Sequence, residues 1–400
     1  MAKVGILFFN NKKDRVAIGE SSTQKTLYNF PKITIGFQKV ICELSTKHKI
    51  EYVDITDTWA DYWLISLTSW YDVYNLIIAT KGKRPRAKII IGGAGVVNPW
   101  ILANIIWAAC IGRGEGIINN IIDMDLSLEN VWYSQYPSRL ITIGQAKYQI
   151  STHRETEAAL GCPKKCYFCE YGWKYKYVNW GGQYSEYANG ETFFKDIDFS
   201  KGLITAGLDG LTEKERYIVN KPLTNDAIID KFEEHTIRDN CRLKLFSVVA
   251  YPFTSGYSFD EWENTLEIAS KKIKKPLTIM IGLSHFCPMP FTPLEEEPVV
   301  FCDRVLQPPK KIGLIKWGTY LQATTFSSAA YEAMLYRAKQ NDDIVSFVLQ
   351  NNPSKDTALK ISEKYSHVIN GGYLPVPLIA RVNETKKAKA DYKKRVCNGL

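Results

Sequence analysis

Short apolar runs alternate with longer stretches of helical spacing over the first ninety or so residues, and that alternation restricts the opening of the chain to few folds. Val4 to Phe9 is a strand-length apolar run. Residues Ile33 to His48 carry Ile35, Phe37, Val40, Ile41 and Leu44 at helical spacing, and Ile50 to Ile55 is strand-like again. Tyr62 to Leu67 and Lys88 to Ile91 follow, each succeeded by polar residues or glycine. Strands alternating with helices predict a doubly wound, Rossmann-like parallel sheet, since parallel neighbours need a crossover between them. Ligands of such sheets gather outside the carboxyl ends of the strands.

The full chain of 400 residues has room for two or three domains, and its 45% hydrophobic content is that of a soluble globular protein. Its most apolar stretch, Val96 to Ile111, is interrupted by Asn98, Pro99 and Asn104 and falls short of a membrane span. No secretory segment is read at the start, so a cytoplasmic protein with no membrane partner is expected. Six of the nine cysteines, Cys42, Cys110, Cys241, Cys287, Cys302 and Cys397, are scattered and read as reduced thiols. The net charge of +9 concentrates in Lys81 to Arg86 and in the tail Lys386 to Arg395. Both runs read first as solvated surface or a frayed terminus, and second as an arm for phosphates.

The other three cysteines stand within eight residues: Cys162, Cys166 and Cys169 in Gly-Cys-Pro-Lys-Lys-Cys-Tyr-Phe-Cys-Glu. A cubane iron-sulfur cluster is normally held by four thiolates, so a tight trio with no fourth cysteine nearby leaves one iron open to another ligand. Structural zinc is the competing use of three cysteines, and would make the chain a non-enzymatic, metal-stabilised nucleic-acid-binding protein. Zinc knuckles, however, usually pair two Cys-x2-Cys units or add histidines, and the nearest upstream histidine is His153. The C-x3-C-x2-C pattern resembles the signature of the radical S-adenosylmethionine (SAM) superfamily. That resemblance implies a [4Fe-4S] cluster on the three cysteines, with SAM chelating the open iron through its amino and carboxylate groups. It also implies that Phe168 lies beside the adenine.

Three further motifs, in order, resemble the cobalamin-binding domain that precedes many radical SAM domains: Leu64-Ile-Ser-Leu-Thr-Ser69, Ile89-Ile-Ile-Gly-Gly-Ala-Gly95 and Ile111-Gly-Arg-Gly-Glu-Gly116. Ser66 and Thr68 can donate to a polar tail, and Gly92 and Gly93 let a large flat ligand approach the backbone. Gly112 and Glu115 complete the expected cobalamin-binding set, with Glu115 at a helix start, where its charge is favourable. Ordinary turns of a Rossmann-like fold would carry the same residues. The D-x-H-x-x-G motif, which brings a histidine to the metal in other cobalamin proteins, is absent from the sequence.

Further strand-like runs at Tyr148 to Thr152, Gly202 to Ala206, Leu243 to Tyr251, Leu277 to Leu283 and Ile312 to Lys316 are separated by helical stretches such as Asn225 to Glu234 and Phe259 to Lys271. This periodicity fits a parallel barrel, and the superfamily resemblance implies a partial (β/α)6 barrel with its site at the C-terminal strand ends. The expected division is a cobalamin-binding-like domain over 1–125, a linker over 126–147, a barrel over 148–335, and a helical segment with a basic tail over 336–400. Where the superfamily often shows a Gly-Gly-Glu motif, Leu203 to Gly210 offers Thr205 and Asp209 as SAM contacts, and Ser247 is a possible ribose contact. His285-Phe-Cys-Pro-Met-Pro-Phe-Thr-Pro-Leu-Glu295 resembles a proline-rich segment of the cobalamin-type branch. Trp173 and Tyr175, within a run of aromatics and lysines ending at Tyr184, are the expected substrate-binding residues, for RNA, a peptide or a small molecule. The resemblance implies a methyltransferase: SAM is cleaved to a 5'-deoxyadenosyl radical, an unactivated carbon loses a hydrogen, and methylcobalamin donates the methyl group. An electron donor such as flavodoxin or ferredoxin would be the partner. The alternative keeps the radical without cobalamin, for a rearrangement, a methylthiolation or another oxidation.

Overall fold

The computed structural model describes residues 1–7, 34–52, 59–151, 156–157, 159–181, 203–221, 223–237, 241–254, 258–301, 306–321, 325–338, 343–370 and 382–399. The ends of the two earliest strand runs (residues 8–9 and 53–55), as well as His153, Gly202, Cys302 and the stretch from Gly182 to Tyr184, lie outside these residues.

Six strands form the first sheet: β1 (Lys3–Leu7), β2 (Lys49–Tyr52), β3 (Tyr62–Ser66), β4 (Lys88–Gly92), β5 (Ala108–Cys110) and β6 (Val131–Tyr133). Their order is β2-β1-β3-β4-β5-β6, parallel from β2 to β5 and antiparallel at β6. The strands read as unbroken apolar runs because both faces are covered. Val4, Ile6, Leu64 and Ile90 meet Phe37, Val40 and Leu44 of the helix Ile35–Ser45. Ile65, Ile89 and Ile91 face the other way, toward Val73, Leu76 and Ile77 of the helix Trp70–Thr80. Asp72 anchors the start of that helix, its Oδ2 accepting from the Thr68 amide at 2.6 Å, the Thr68 hydroxyl at 2.7 Å and the Ser69 amide at 3.2 Å.

Two expectations about domain limits change here. Residues 126–147 contain β6, whose Val131, Trp132 and Tyr133 are fully buried, so this stretch is part of the sheet rather than a bare linker. A limit at 335 falls inside the helix Phe326–Arg337. That helix is apolar on nearly every side and packs, with the helices Ile344–Gln350, Lys355–Lys364 and Ser366–Ile369, into the core of the first sheet. An all-round apolar helix needs cover on all sides, and here the N-terminal layer supplies part of it.

After the short pair β7 (Ala159–Leu160) and β8 (Val178–Asn179), a second sheet comprises β9 (Leu203–Gly207), β10 (Cys241–Val249), β11 (Leu277–His285), β12 (Lys310–Ile312) and β13 (Ile315–Leu321), in the order β12-β13-β11-β10-β9. β9, β10, β11 and β13 run parallel, and β12 is antiparallel to β13. Among the described residues the sheet has four parallel strands, fewer than a six-repeat barrel. Of the strand expected at Tyr148 to Thr152, the residues 148–151 are described and form no strand; an isolated bridge joins Ser151 to Thr156. Its one deeply buried apolar side chain is Ile150, while Tyr148 is exposed, so it offers no face to a sheet. The strand expected near Ile312 to Lys316 does extend the parallel set, but it starts at Ile315 as β13, after a turn at Gly313 (φ 55°) that separates it from β12. No helix among the described residues is long and apolar enough to cross a membrane.

Side chains alternate along β10, and the alternation sorts the candidate residues of the second sheet. Leu243, Leu245 and Val249 lie in the core formed with the helices Asn225–His235 and Asp260–Lys272. Ser247 shares their parity and is 1% exposed, with its hydroxyl directed at the Val248 carbonyl at 3.4 Å. Lys244 and Phe246 lie on the opposite face, where Thr205 is the register partner of Lys244.

Candidate functional site

A cavity of about 450 Å³ opens at the carboxyl ends of β3, β4 and β5. All three glycine- and serine-bearing motifs reach it: Ser66, Thr68, Gly92, Gly93, Gly112 and Glu115 are all on its wall. Its opposite wall comes from the cysteine segment, through Leu160, Glu170, Tyr171, Lys174 and Tyr175. The volume lies within the range of small-molecule and cofactor pockets. The proton of the Thr68 hydroxyl is already given to Asp72, so only lone pairs of Thr68 are left for a ligand.

The glycines have different local reasons. A Cβ on Gly92 would have its nearest neighbour 4.0 Å away, so the bare backbone here borders open cavity. A Cβ on Gly93 would stand 2.4 Å from the Leu67 carbonyl oxygen, and the residue has φ 105°. Gly93→Ala is therefore expected to cost about 2 kcal/mol or more through backbone strain and to deform the cavity rim, measurable as a lower thermal midpoint. An unchanged midpoint would show that the turn can relax. Gly112, at φ 85°, lies against the Gly144 backbone in an isolated bridge.

Glu115 is not at the start of its own helix. The helix Ile118–Ile122 has no acidic residue in its first turn. Instead, the Glu115 carboxylate approaches Gly36 in the first turn of the helix Ile35–Ser45, where a Cβ would come within 2.3 Å of its Oε1. Arg113 neutralises it, donating from Nε to Glu115 at 2.9 Å and from its two terminal nitrogens to Glu157 at 2.6 and 3.1 Å. Glu157 also lines the cavity, and nothing in the sequence motifs pointed to it.

The cysteine loop is tied down at several points. The Tyr167 amide donates to the Val219 carbonyl at 2.9 Å, and the Asn220 side chain donates to the Lys164 and Lys165 carbonyls at 3.2 and 3.3 Å. Cys162, Cys166 and Cys169 are unpaired and partly accessible. Burial pushes the Cys166 thiol up to about 12 and Cys169 up to about 11, so a metal must displace their protons. Among the described residues no three His, Cys, Asp or Glu converge on a single ion. A cube does not require that, because each thiolate meets a different iron.

Asp209 and Lys221 stand close enough to act on these thiols electrostatically. Lys221 donates to Asp209 Oδ2 at 2.7 Å, and the Tyr251 hydroxyl donates to the Asp209 carbonyl at 2.8 Å. Asp209 is thus brought to the cysteines, with a lysine that sequence reasoning missed. Phe168 packs near Tyr251, with ring centroids 6.4 Å apart. Ser247, on the helix-covered face, is turned away from the open face that holds Thr205. Trp173 is 4% exposed, and its indole N–H donates to the Cys166 carbonyl at 2.9 Å, so it buttresses the loop from behind instead of presenting a surface to substrate. Tyr175 faces the cavity.

The basic tail is neither frayed nor free. It forms the helix Val382–Gly399, which docks on the cysteine loop and the proline-rich segment. Asp391 accepts a hydrogen bond from the Tyr167 hydroxyl, Tyr392 is buried beside Tyr167, Lys165 pairs with Glu384 at 2.9 Å, and Lys389 pairs with Glu295 and Glu296, each at 2.9 Å. In the other basic run, Arg84 holds the Ala103 and Ile106 carbonyls at 2.6 and 3.1 Å.

Within electrostatic reach of Glu170, Glu332 is buried with Cys287 and Tyr336, and burial pushes its carboxyl up to about 7. The folded chain then keeps a proton that the unfolded chain releases near the ordinary value of 4.5. The native state binds more protons between about 4.5 and 7, so stability should fall as pH rises through that window. Glu332→Gln should flatten this slope in thermal melts taken across it; an identical slope in the variant would remove Glu332 as its source.

No family model matches the chain, and no curated protein matches it. It is similar to three solved structures of the cobalamin-dependent S-adenosylmethionine radical enzyme OxsB, each 12% identical. The apo, selenomethionine-labelled form aligns over 90% of this chain with a TM-score of 0.27. The form with aqua-cobalamin aligns over 100% at 0.26, and the form with aqua-cobalamin and S-adenosylmethionine over 100% at 0.24. The chain spans 56% of the length of those chains. Superpositions this loose carry no argument about chemistry here.

Proposed function

We propose that the chain is a cobalamin-dependent radical SAM enzyme that transfers a methyl group to an unactivated carbon. The observation that carries this reading is the shared cavity: three strand-end motifs of the first sheet and the helix Glu170–Lys174, which leaves the cysteine loop directly, enclose one space. On this reading the two cofactor sites proposed from the sequence would be neighbours. The donor set suits a cluster, since three soft thiol ligands lie in one short loop. The cavity suits part of a corrinoid, because Gly92 leaves the backbone open to a flat ligand.

When bound, the cluster with SAM would supply a carbon radical, and the corrinoid would supply the methyl group. The chain's own residues hold and orient. Cys162, Cys166 and Cys169 would grip the cluster, and Phe168, Thr205 and Asp209 are the proposed SAM contacts. Of these, Asp209 is fixed by Lys221. Ser66, Gly92, Gly93, Gly112 and Glu115 would line the corrinoid, and an electron donor such as flavodoxin or ferredoxin would reduce the cluster.

The test is an absorption spectrum after anaerobic reconstitution with iron and sulfide, addition of hydroxocobalamin and desalting, paired with a deoxyadenosine assay. Retained corrinoid with deoxyadenosine formation supports the reading. Deoxyadenosine without corrinoid would favour the cobalamin-free alternative, and zinc in place of iron would overturn both.

A further inference from the structure

Lys174 ends the helix Glu170–Lys174, reaches across to the first sheet, and is 1% exposed. Its ammonium donates to the Ala94 carbonyl at 2.9 Å, within the Gly92–Gly95 turn that forms the cavity rim. An ammonium has three N–H bonds to place, and the bond to Ala94 is the hydrogen bond that the Lys174 ammonium makes among the described residues. The rings of Phe291 and Tyr175 flank it, at 5.7 and 6.0 Å from Nζ. Glu170, one turn earlier, is the carboxylate whose charge it feels. The other cation on the cavity wall, Arg113, has its guanidinium committed to Glu115 and Glu157. A buried charge with donors to spare is costly unless something accepts from it, and Lys174 is among the residues that line an open space of about 450 Å³.

We propose that Lys174 hydrogen-bonds an acceptor oxygen of the ligand that fills the strand-end cavity, and so ties that ligand to the helix leaving the cysteine loop. The proposal names a contact within the cavity assigned above and rests in part on that assignment. On a corrinoid the acceptor is either the phosphodiester of the nucleotide tail or an amide oxygen on the ring, both of which accept from an ammonium. The lysine then positions the ligand relative to the cysteine loop, because its stem belongs to one site and its head to the other.

The experiment titrates the reconstituted 400-residue chain and its Lys174→Met variant with hydroxocobalamin and with cobinamide, which lacks the nucleotide tail. Iron content and circular dichroism check that the variant is intact, and Lys174→Gln carries the comparison should the methionine variant not fold. Loss of a charge-assisted bond should weaken binding by roughly 10- to 100-fold. A loss seen with hydroxocobalamin alone assigns the phosphodiester; a loss with both assigns a ring amide; equal affinity of variant and wild type for both ligands overturns the proposal. A wild type that binds neither corrinoid refutes the cobalamin assignment, and the same pair is then titrated with flavin mononucleotide, a flat ligand bearing a phosphate. Weaker binding by the variant there sustains the role of Lys174, and equal binding or none overturns it as well.

Discussion

Replacing any one of Cys162, Cys166 and Cys169 with alanine should reduce SAM cleavage to background while leaving the melting curve close to that of the metal-free wild type. The two halves of this expectation have separate causes. Loss of a thiolate removes a cluster ligand outright, and no cysteine adjoins the loop in sequence to replace it. The fold, however, does not hang on the thiols. The Tyr167 amide bond to the Val219 carbonyl, the Asn220 side chain and the indole of Trp173 hold the loop, and the tail helix clamps it from outside. The measurement is deoxyadenosine formation beside iron content for each variant. Background-level deoxyadenosine with low iron fits, and full deoxyadenosine production in any one variant contradicts the assignment.

Arg337→Met should produce the largest loss of stability. Arg337 is 1% exposed and donates to the Val368 carbonyl at 2.9 Å, to the Glu297 carbonyl at 2.6 Å and to the Glu295 carbonyl. It thereby joins the C-terminal helices to the end of the proline-rich segment, the same place where Lys389 of the tail docks. Methionine fills much of the volume but leaves three carbonyls without this donor. Leaving a buried carbonyl without its donor costs about 1–3 kcal/mol, and each kcal/mol lowers the melting temperature by about 2–4 °C in chains of moderate size. A midpoint indistinguishable from that of wild type would show that the network contributes little.

The first sheet was legible because its strands are buried on both faces, which writes them as unbroken apolar runs between turns. Its motifs were legible for the same reason that they share a cavity: parallel strands deliver their C-terminal ends to one side. The second sheet was harder. Gly313 delays the start of one expected strand to Ile315, and nothing in the run from Tyr148 shows that Ile150 is its one deeply buried apolar side chain among the described residues. Long-range placement was least legible. Composition marks the tail as basic, but its docking depends on Asp391 and Tyr392 meeting Tyr167, more than two hundred residues earlier. Ser247 was assigned by strand alone, and its parity on β10 places it on the helix-covered face. Glu157 carries no motif, and Lys174 stood in the aromatic and lysine run only as one cation among several, because each is defined by what the fold brings across from another segment.

The most direct test of the central claim is electron paramagnetic resonance of the anaerobically reconstituted, reduced chain, recorded with and without SAM. A low-temperature signal of a reduced cubane cluster that shifts when SAM is added is the predicted result, since the open iron gains new ligands. No signal on reduction, or one indifferent to SAM, would contradict a three-cysteine cluster with an open iron.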